Sequence, residues 1–229
     1  MGVILPSTTG SSHSRRAGGT RAAETVARRR RLIEAAVALA GEGGYDAVQM
    51  RDVAARAEVA LGTLYRHYSS KDQLLLAAMA AQADALRGRL EQRPPRGDTP
   101  AERVAEGLRR ACTALERQPS VTSAMVTAMS STDGDAAPVK QSVQESLRRM
   151  IAGAIGDDPV ADPVEDLDAI VKVLGHVWFA ALAFWVGGMT ESGAMADDLE
   201  HAAHLLLDRS PTARSPTARR PTARRPTAR

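Results

Sequence analysis

The sequence predicts an all-α chain: a three-helix helix-turn-helix DNA-binding domain followed by a larger helical ligand-binding and dimerisation domain, about nine helices in total. Three observations predict it. Hydrophobic residues make up 44% of the 229 residues but aromatic residues only 3%, so Ala and Leu dominate, and both favour helix over sheet. Apolar residues recur at three- and four-residue spacing through nearly the whole middle of the chain. Gly- and Pro-rich breaks separate the periodic stretches.

Residues 1–22 are rich in Gly, Ser, Thr and Arg without periodicity and read as a disordered basic arm. Leu32, Ile33, Ala36, Val37 and Ala40 then mark a first helix over residues 24–40, stopped by Gly41, Gly43 and Gly44. Met50, Val53, Ala54 and Ala57 make a short second helix. Glu58-Val59-Ala60 is long enough only for a turn, with Val59 plugging the angle between two helices. Leu61, Leu64, Tyr65 and Tyr68 make a short third helix. Ser70 and Gln73 fit a capping box, with Ser70 as N-cap, and open a fourth helix carrying Leu74, Leu75, Met79, Ala83, Leu86 and Leu90.

Pro94, Pro95 and Gly97 end that helix. A fifth helix carries Val104, Leu108, Ala111, Cys112 and Leu115, and a sixth starts at Pro119 with Val121, Met125 and Met129. Residues 133–138 read as a loop. A seventh helix holds Val143, Leu147, Met150 and Ile151, and residues 157–163 break the pattern again. The eighth helix, 164–187, is the most apolar segment, and a ninth covers 194–208. The predicted domains are therefore the arm at 1–22, the DNA-binding domain at 23–71, the ligand-binding and dimerisation domain at 72–209, and a tail at 210–229. In that tail Pro-Thr-Ala-Arg occurs four times, and a Pro every fifth residue forbids regular helix.

The net charge of +3 is unevenly spread. Residues 1–31 carry +6, residues 210–229 another +6, and the body between them −9. Basic tails add phosphate attraction but do not by themselves identify a DNA-binding protein. Cys112 is the only cysteine, so no disulfide closes within the chain, which suits the cytoplasm. No apolar run is expected to reach the ~18 residues of a membrane span, and the apolar start at Met1–Leu5 is too short for a signal peptide. Pro6 stands where a myristoylation signal needs Ser or Thr. A cytoplasmic protein without membrane contact is expected.

The third predicted helix is the informative one. A helix that enters the major groove needs small or polar residues at its leading end. Gly62 lets the backbone approach, and Thr63 offers a hydroxyl and a methyl. Tyr45-Asp-Ala-Val-Gln-Met-Arg-Asp-Val-Ala54, Val59-Ala-Leu-Gly-Thr-Leu-Tyr-Arg-His-Tyr68 and Ser70-Lys-Asp-Gln-Leu74 resemble the TetR family of bacterial repressors. The wording is nearest to the actinobacterial repressors of sterol catabolism. Two residues depart from the family pattern. Glu58 stands where Gly or Asn is usual, and Ala60 replaces a Ser/Thr N-cap, a loss of about 1 kcal/mol. The resemblance implies that Gln49 and Arg51 meet phosphates or a base edge. It implies that Leu61, Gly62, Thr63 and Tyr65 face the groove, and that His67, Tyr68 and Lys71 hold phosphates. Arg28–Arg31 can reach the flanking backbone or minor groove, although four successive Arg cannot share one helix face.

A half-site reader needs a partner to read both halves of a palindromic operator, about one DNA turn apart. The eighth helix is apolar on two faces, so it must be covered on two sides. Val171, Phe184 and Trp185, with Leu199, Ala203 and Leu206 of the ninth helix, are expected at a homodimer interface. Met125, Met129 and Met150 fall with Leu108, Cys112, Leu147, Trp178 and Leu182 on facing helices. Such a Met-containing apolar group can be ordinary core or can line a pocket for a hydrophobic small molecule. The family resemblance favours the pocket, with a steroid or acyl thioester as effector. No cofactor or metal is called for. His201 and His204 have metal-like spacing but lack a placeable third ligand, and no phosphate loop or nucleophile pair suggests an enzyme. The competing readings are a regulator of a drug efflux pump and a non-specific DNA binder working through its Arg tails.

Overall fold

The computed structural model describes residues 12–131, 137–155 and 167–208, with side chains from residue 23 onward. The Pro-Thr-Ala-Arg repeats and the predicted breaks around 133–136 and 157–163 lie outside the described residues. The described residues form helices α1 (Ser12–Ala47), α2 (Met50–Arg56), α3 (Leu61–His67), α4 (Lys71–Gln92) and α5 (Pro100–Glu116). These are followed by α6 (Pro119–Ser130), α7 (Ala137–Ile155), α8 (Leu167–Val186) and α9 (Ala194–Leu207).

Helix α1 is longer at both ends than its apolar stripe suggests. It starts at Ser12, inside the arm expected to be irregular, where Ala17, Arg21 and Ala22 are good helix formers. It passes Gly41 and breaks only at Gly43–Gly44. Gly44 has φ 69° and ψ −155°, a conformation closed to other residues, and a Cβ on Gly43 would come within 2.9 Å of the Ala47 side chain. This break turns the chain from the long helix toward α2.

Two hydrophobic clusters organise the molecule. One gathers Leu32 and Ala36 of α1, Val53 and Ala54 of α2, Leu64 of α3 and Leu74–Leu76 of α4. The second gathers Leu108 and Cys112 of α5, Ile151 of α7, Leu174 and Leu182 of α8, and Leu199 and Ala203 of α9. In this larger body α5 lies along α9, α9 packs on α8, and α7 spans α4 and α5. Helix α4 belongs to both clusters, through Leu74–Leu76 at its start and Leu90 at its end.

The helix ends follow local chemistry. Ser70 caps α4 by accepting the Gln73 N–H at 3.2 Å, while the Gln73 side chain reaches the Ser69 N–H at 2.7 Å, one residue earlier than a regular capping box. Thr99 and Glu102 form a complete box at α5, with Pro100 at its first position. Pro138, expected in a loop, lies in the first turn of α7, where no helical N–H is lost. Helix α8 overturns the expected lack of a long apolar run. It has 20 residues, and an 18-residue window of it has mean hydropathy 1.8, enough by length and composition to cross a membrane. A core helix of a helical bundle passes the same test. Here α8 packs on α6, α7 and α9, and Asp168, Lys172 and His176 interrupt one side of it.

The turn between α2 and α3 is closed by two hydrogen bonds, Glu58 N–H to Ala55 O at 3.1 Å and Val59 N–H to Ala54 O at 2.9 Å. This is a Schellman closure, and it puts Glu58 at φ 54°. Glu58 is the one non-glycine residue with positive φ among those described. A side chain there costs about 1–2 kcal/mol. Ala60, the N-cap of α3, offers no side-chain cap. Glu58→Gly and Ala60→Ser are therefore each expected to stabilise the protein by about 1 kcal/mol. Thermal or urea unfolding should show both midpoints rising; unchanged midpoints would mean the turn relaxes at no cost.

Candidate DNA-reading face and effector core

The reading head presents one continuous surface from α2 and α3. Gln49, the N-cap of α2, is exposed and donates its side-chain amide to Asp46 O at 2.8 Å. Arg51 is exposed beside it. On α3, Leu61 and Tyr65 are 39% and 49% exposed, large apolar surfaces that the protein leaves in water. Thr63 accepts a hydrogen bond from Arg66 at 3.0 Å, so the two side chains form one polar unit. Leu64 is fully buried and anchors the helix.

Gly62 has a specific meaning here. A Cβ built on it meets nothing within 4 Å, so the protein's own packing does not require glycine. Glycine inside a helix nevertheless costs up to about 1 kcal/mol relative to Ala. No contact within the protein therefore accounts for glycine at this position.

The expected phosphate contacts divide. Tyr68, expected on phosphates, is buried at 6% exposure in the head cluster, because the C-cap of α3 turns its ring inward against Leu64 and α1. Its hydroxyl is pushed up by that burial. Lys71 lies with its ammonium 3.7 Å from the centre of the Tyr45 ring and 3.4 Å from Tyr45 O. The Tyr45 hydroxyl in turn donates to Asp72 at 2.5 Å and is pushed up to about 12, first by burial and then by that carboxylate. Tyr45 and Asp72 thus hold Lys71 at the start of α4. Nothing local in the sequence announces this set, because its members are 26 and 27 residues apart.

His67 is half-buried at the end of α3. Burial first, and then the charges of Arg29, Arg28 and Arg66, hold its imidazole below the ordinary value. The folded chain therefore takes up this proton less readily than the unfolded chain. Its contribution to stability is present above the ordinary histidine range and is lost as pH falls through it.

The apolar body separates the expected pocket residues. Leu108, Cys112, Met150 and Leu182 are buried in the body cluster, with Leu147 and Trp178 packed against it. Met125 and Met129 belong instead to the head cluster, since that face of α6 packs on α1 and α4. The Trp178 indole N–H is buried without an acceptor among a mostly apolar set, a deficit of about 1–3 kcal/mol. The Cys112 thiol is pushed up to about 12 by burial and by Glu116, which suits a core thiol. A separate open cleft of about 410 Å³ lies at the joint of head and body, between Gly43–Gly44, Pro119, Ser120, Ser123 and the end of α8. The arginines flanking the body are paired: Arg109 with Glu106 and Glu200, Arg110 with Glu106, Arg148 with Asp168, and Arg149 with Glu145.

The expected interface residues divide as well. Leu199 and Ala203 are fully buried within the protomer against α5, and Val171 is buried on α8, so these three are core. Phe184 is 48% exposed, and Leu206 and Trp185 are half-buried. Leu205, 57% exposed, is the outward leucine of α9. His201 and His204 contact Asp197 O at 2.7 Å and the Asp208 carboxylate at 2.9 Å.

A buried Leu64, an exposed small-residue end on α3 and a lysine held at the start of α4 make a DNA-reading head. Residues 32–78 match the family described as bacterial regulatory proteins, tetR family, and residues 97–206 match the tetracyclin repressor-like C-terminal domain. The chain belongs to the TetR family. It is a DNA-binding transcriptional repressor of that family. The HTH-type transcriptional repressor KstR of Rhodococcus jostii is 39% identical over 180 residues, covering 79% of this chain and 82% of the relative. KstR of Mycobacterium tuberculosis is 33% identical over 186 residues, covering 81% and 83%. Among solved structures, a TetR transcriptional regulator from Rhodococcus sp. RHA1 superposes with a TM-score of 0.74 at 31% identity, covering 81% of this chain and 98% of that one. Thermus thermophilus FadR, solved with lauroyl-CoA, shares the fold with a TM-score of 0.64 at 20% identity, covering 79% and 93%.

Two predictions follow from this TetR-family head. Gly62→Ala is expected to raise stability by up to about 1 kcal/mol while weakening DNA binding. Unfolding midpoints and DNA titration should move in opposite directions, and a variant that binds DNA as well as the parent would refute the close approach. For His67, the thermal midpoint is expected to fall between pH 7.5 and 5.5, with His67→Gln showing a smaller fall. Identical pH profiles would show that the imidazole is unstrained.

Proposed function

We propose that the chain works as a homodimer that represses from a palindromic operator and is released by a hydrophobic small molecule, in the control of sterol or lipid catabolism. The observation that carries the dimer is the apolar outer surface of α8 and α9. Val173, Phe179, Phe184 and Leu205 are 39–57% exposed on these two helices, beside the polar Asp168, Lys172 and His176 of α8. A second copy covering this surface sets two heads at one spacing, which a palindrome with half-sites about one turn apart requires.

The effector reading is supported by the body cluster. Its centre is apolar, and a buried unpaired donor in it, Trp178 Nε1, suits a molecule with an acceptor oxygen on a large hydrophobic frame. A steroid ketone or an acyl thioester has that chemistry. The KstR relatives and the motif wording shared with sterol-catabolism repressors support a steroid. The effector acts by preferring a head spacing that the operator does not match, so its differential affinity sets the degree of release. A cytoplasmic location fits a repressor of this kind.

The test uses full-length protein and an operator selected from random duplex. Tyr65→Ala is expected to weaken operator binding by about 2 kcal/mol, roughly 30-fold, with the dimer intact by sedimentation. Phe184→Asp with Leu205→Glu is expected to yield monomers that no longer bind the full operator. A 3-keto steroid, or the coenzyme A thioester of a steroid carboxylic acid, should dissociate the parent complex at concentrations where a planar cationic drug does not. Release by the drug alone would replace the lipid reading with an efflux-type one.

A further inference from the structure

Helix α7 packs along α4. Ser146 of α7 is 3% exposed, and its hydroxyl donates across that contact to Asp84 Oδ1 at 3.0 Å. The same carboxylate oxygen has a second donor close by. Arg87, three residues along α4, holds its Nε 3.9 Å from Asp84 Oδ1, too far for a hydrogen bond. That Nε–H is buried without an acceptor, although Nη1 of the same guanidinium is bonded to Glu91 at 2.5 Å. One acceptor therefore stands between two donors. It satisfies the hydroxyl and leaves the guanidinium N–H orphaned.

A buried N–H of a charged group is costly to leave unpaired, and a charge-assisted bond to a carboxylate removes that cost. Closing the gap takes about 1 Å, from 3.9 Å to the ~2.9 Å of an N–H···O bond. The two arrangements differ in what they tie together. Asp84 bonded to Ser146 joins α4 to α7. Asp84 bonded to Arg87 is satisfied within α4 and asks nothing of α7. On α4, Asp84 lies between Met79, packed in the head cluster, and Leu86, packed in the body cluster. On α7, Ser146 is followed by Leu147 and Met150, both packed in the body cluster. Helix α8 comes so close there that a Cβ on Gly175 would meet the Leu147 side chain at 3.4 Å. A molecule entering the body core against Leu147 and Met150 would press on the turn of α7 that carries Ser146.

We propose that Asp84 is a two-position latch: bonded to Ser146 it fastens α4 to α7 and holds the head for DNA, and when an effector displaces α7 it passes to Arg87 and frees α4. The exchange of partners rests on the local geometry alone, and its trigger rests on the effector reading above. The two positions can be favoured separately. Ser146→Ala deletes the interhelical donor and keeps a good helix former. Asp84→Asn keeps an oxygen for Ser146 but lacks the charge that draws Arg87.

The experiment follows the Arg87 Nε–H resonance by proton–nitrogen NMR in full-length protein, where its disappearance in Arg87→Lys identifies it. Ser146→Ala is expected to shift this resonance downfield and to slow its exchange with water by roughly tenfold, as Asp84 passes to it. Asp84→Asn should leave it at the parental position. The coenzyme A thioester of a 3-keto steroid carboxylic acid, added to the parent, should move it in the same direction as Ser146→Ala does. Release of operator by the same thioester, read by fluorescence anisotropy, is the second measurement. The half-release concentration is expected to fall roughly fivefold in Ser146→Ala and to rise by a similar factor in Asp84→Asn. An unmoved resonance in a Ser146→Ala protein with parental thermal midpoint overturns the proposal. So do half-release shifts in the same direction for both variants, which would mean general loosening. If Ser146→Ala does not fold, the thioester titration of the parent and of Asp84→Asn decides by the same criteria. A thioester that neither moves the resonance nor releases operator, while Ser146→Ala still moves it, upholds the exchange of partners and sinks the effector reading. A thioester that releases operator from parent and both variants alike, with the resonance unmoved, leaves the effector reading standing and overturns the latch.

Discussion

Val121, Ala124, Met125 and Ala128 put one face of α6 into the cluster of Leu32, Leu64 and Leu74, while Val126 of the same helix belongs to the cluster of Leu108, Leu174 and Leu199. Helix α4 makes the same bridge from Leu74–Leu76 to Leu90. Two helices shared between two close-packed clusters tie the reading head to the body, because packed interiors shift between discrete arrangements rather than deforming smoothly. A change in the body that moves α6 acts on α1 and α4 directly. Helices α4 and α6 together make the link between the two clusters.

The Gly43–Gly44 break belongs to the same joint. It lies across the open cleft from Pro119, Ser120 and Ser123 at the start of α6, so the point where α1 turns into the head is also the point where the body reaches it.

The head itself is not optimised for stability. Glu58 is held at positive φ, Ala60 leaves α3 without a side-chain cap, Gly62 gives up helix propensity, and Arg28, Arg29 and Arg66 crowd His67. For Gly62 the protomer leaves open space where a side chain would stand. For Glu58 and Ala60 the structure shows the local cost but no compensating contact.

The helix-turn-helix was legible in the sequence because its signals are local. Val53, Ala54, Leu64 and Leu74 recur at helical spacing, Ser70 and Gln73 mark a helix start, and Glu58-Val59-Ala60 leaves room only for a turn. The departures at Glu58 and Ala60 were legible for the same reason, and their positive φ and missing cap are their local consequences. What covers an apolar face is not local. Leu199, Ala203 and Leu206 all read as covered by a partner, but only the seating of α9 against α5 turns Leu199 and Ala203 inward and leaves Leu206 half-buried. The same ambiguity joined Met125 and Met129 to Met150, which the fold assigns to different clusters. Hydrophobicity and periodicity by themselves determined that these residues leave water. Only the tertiary structure decided against what, because burial free energy depends on area removed from water and is indifferent to the identity of the covering surface.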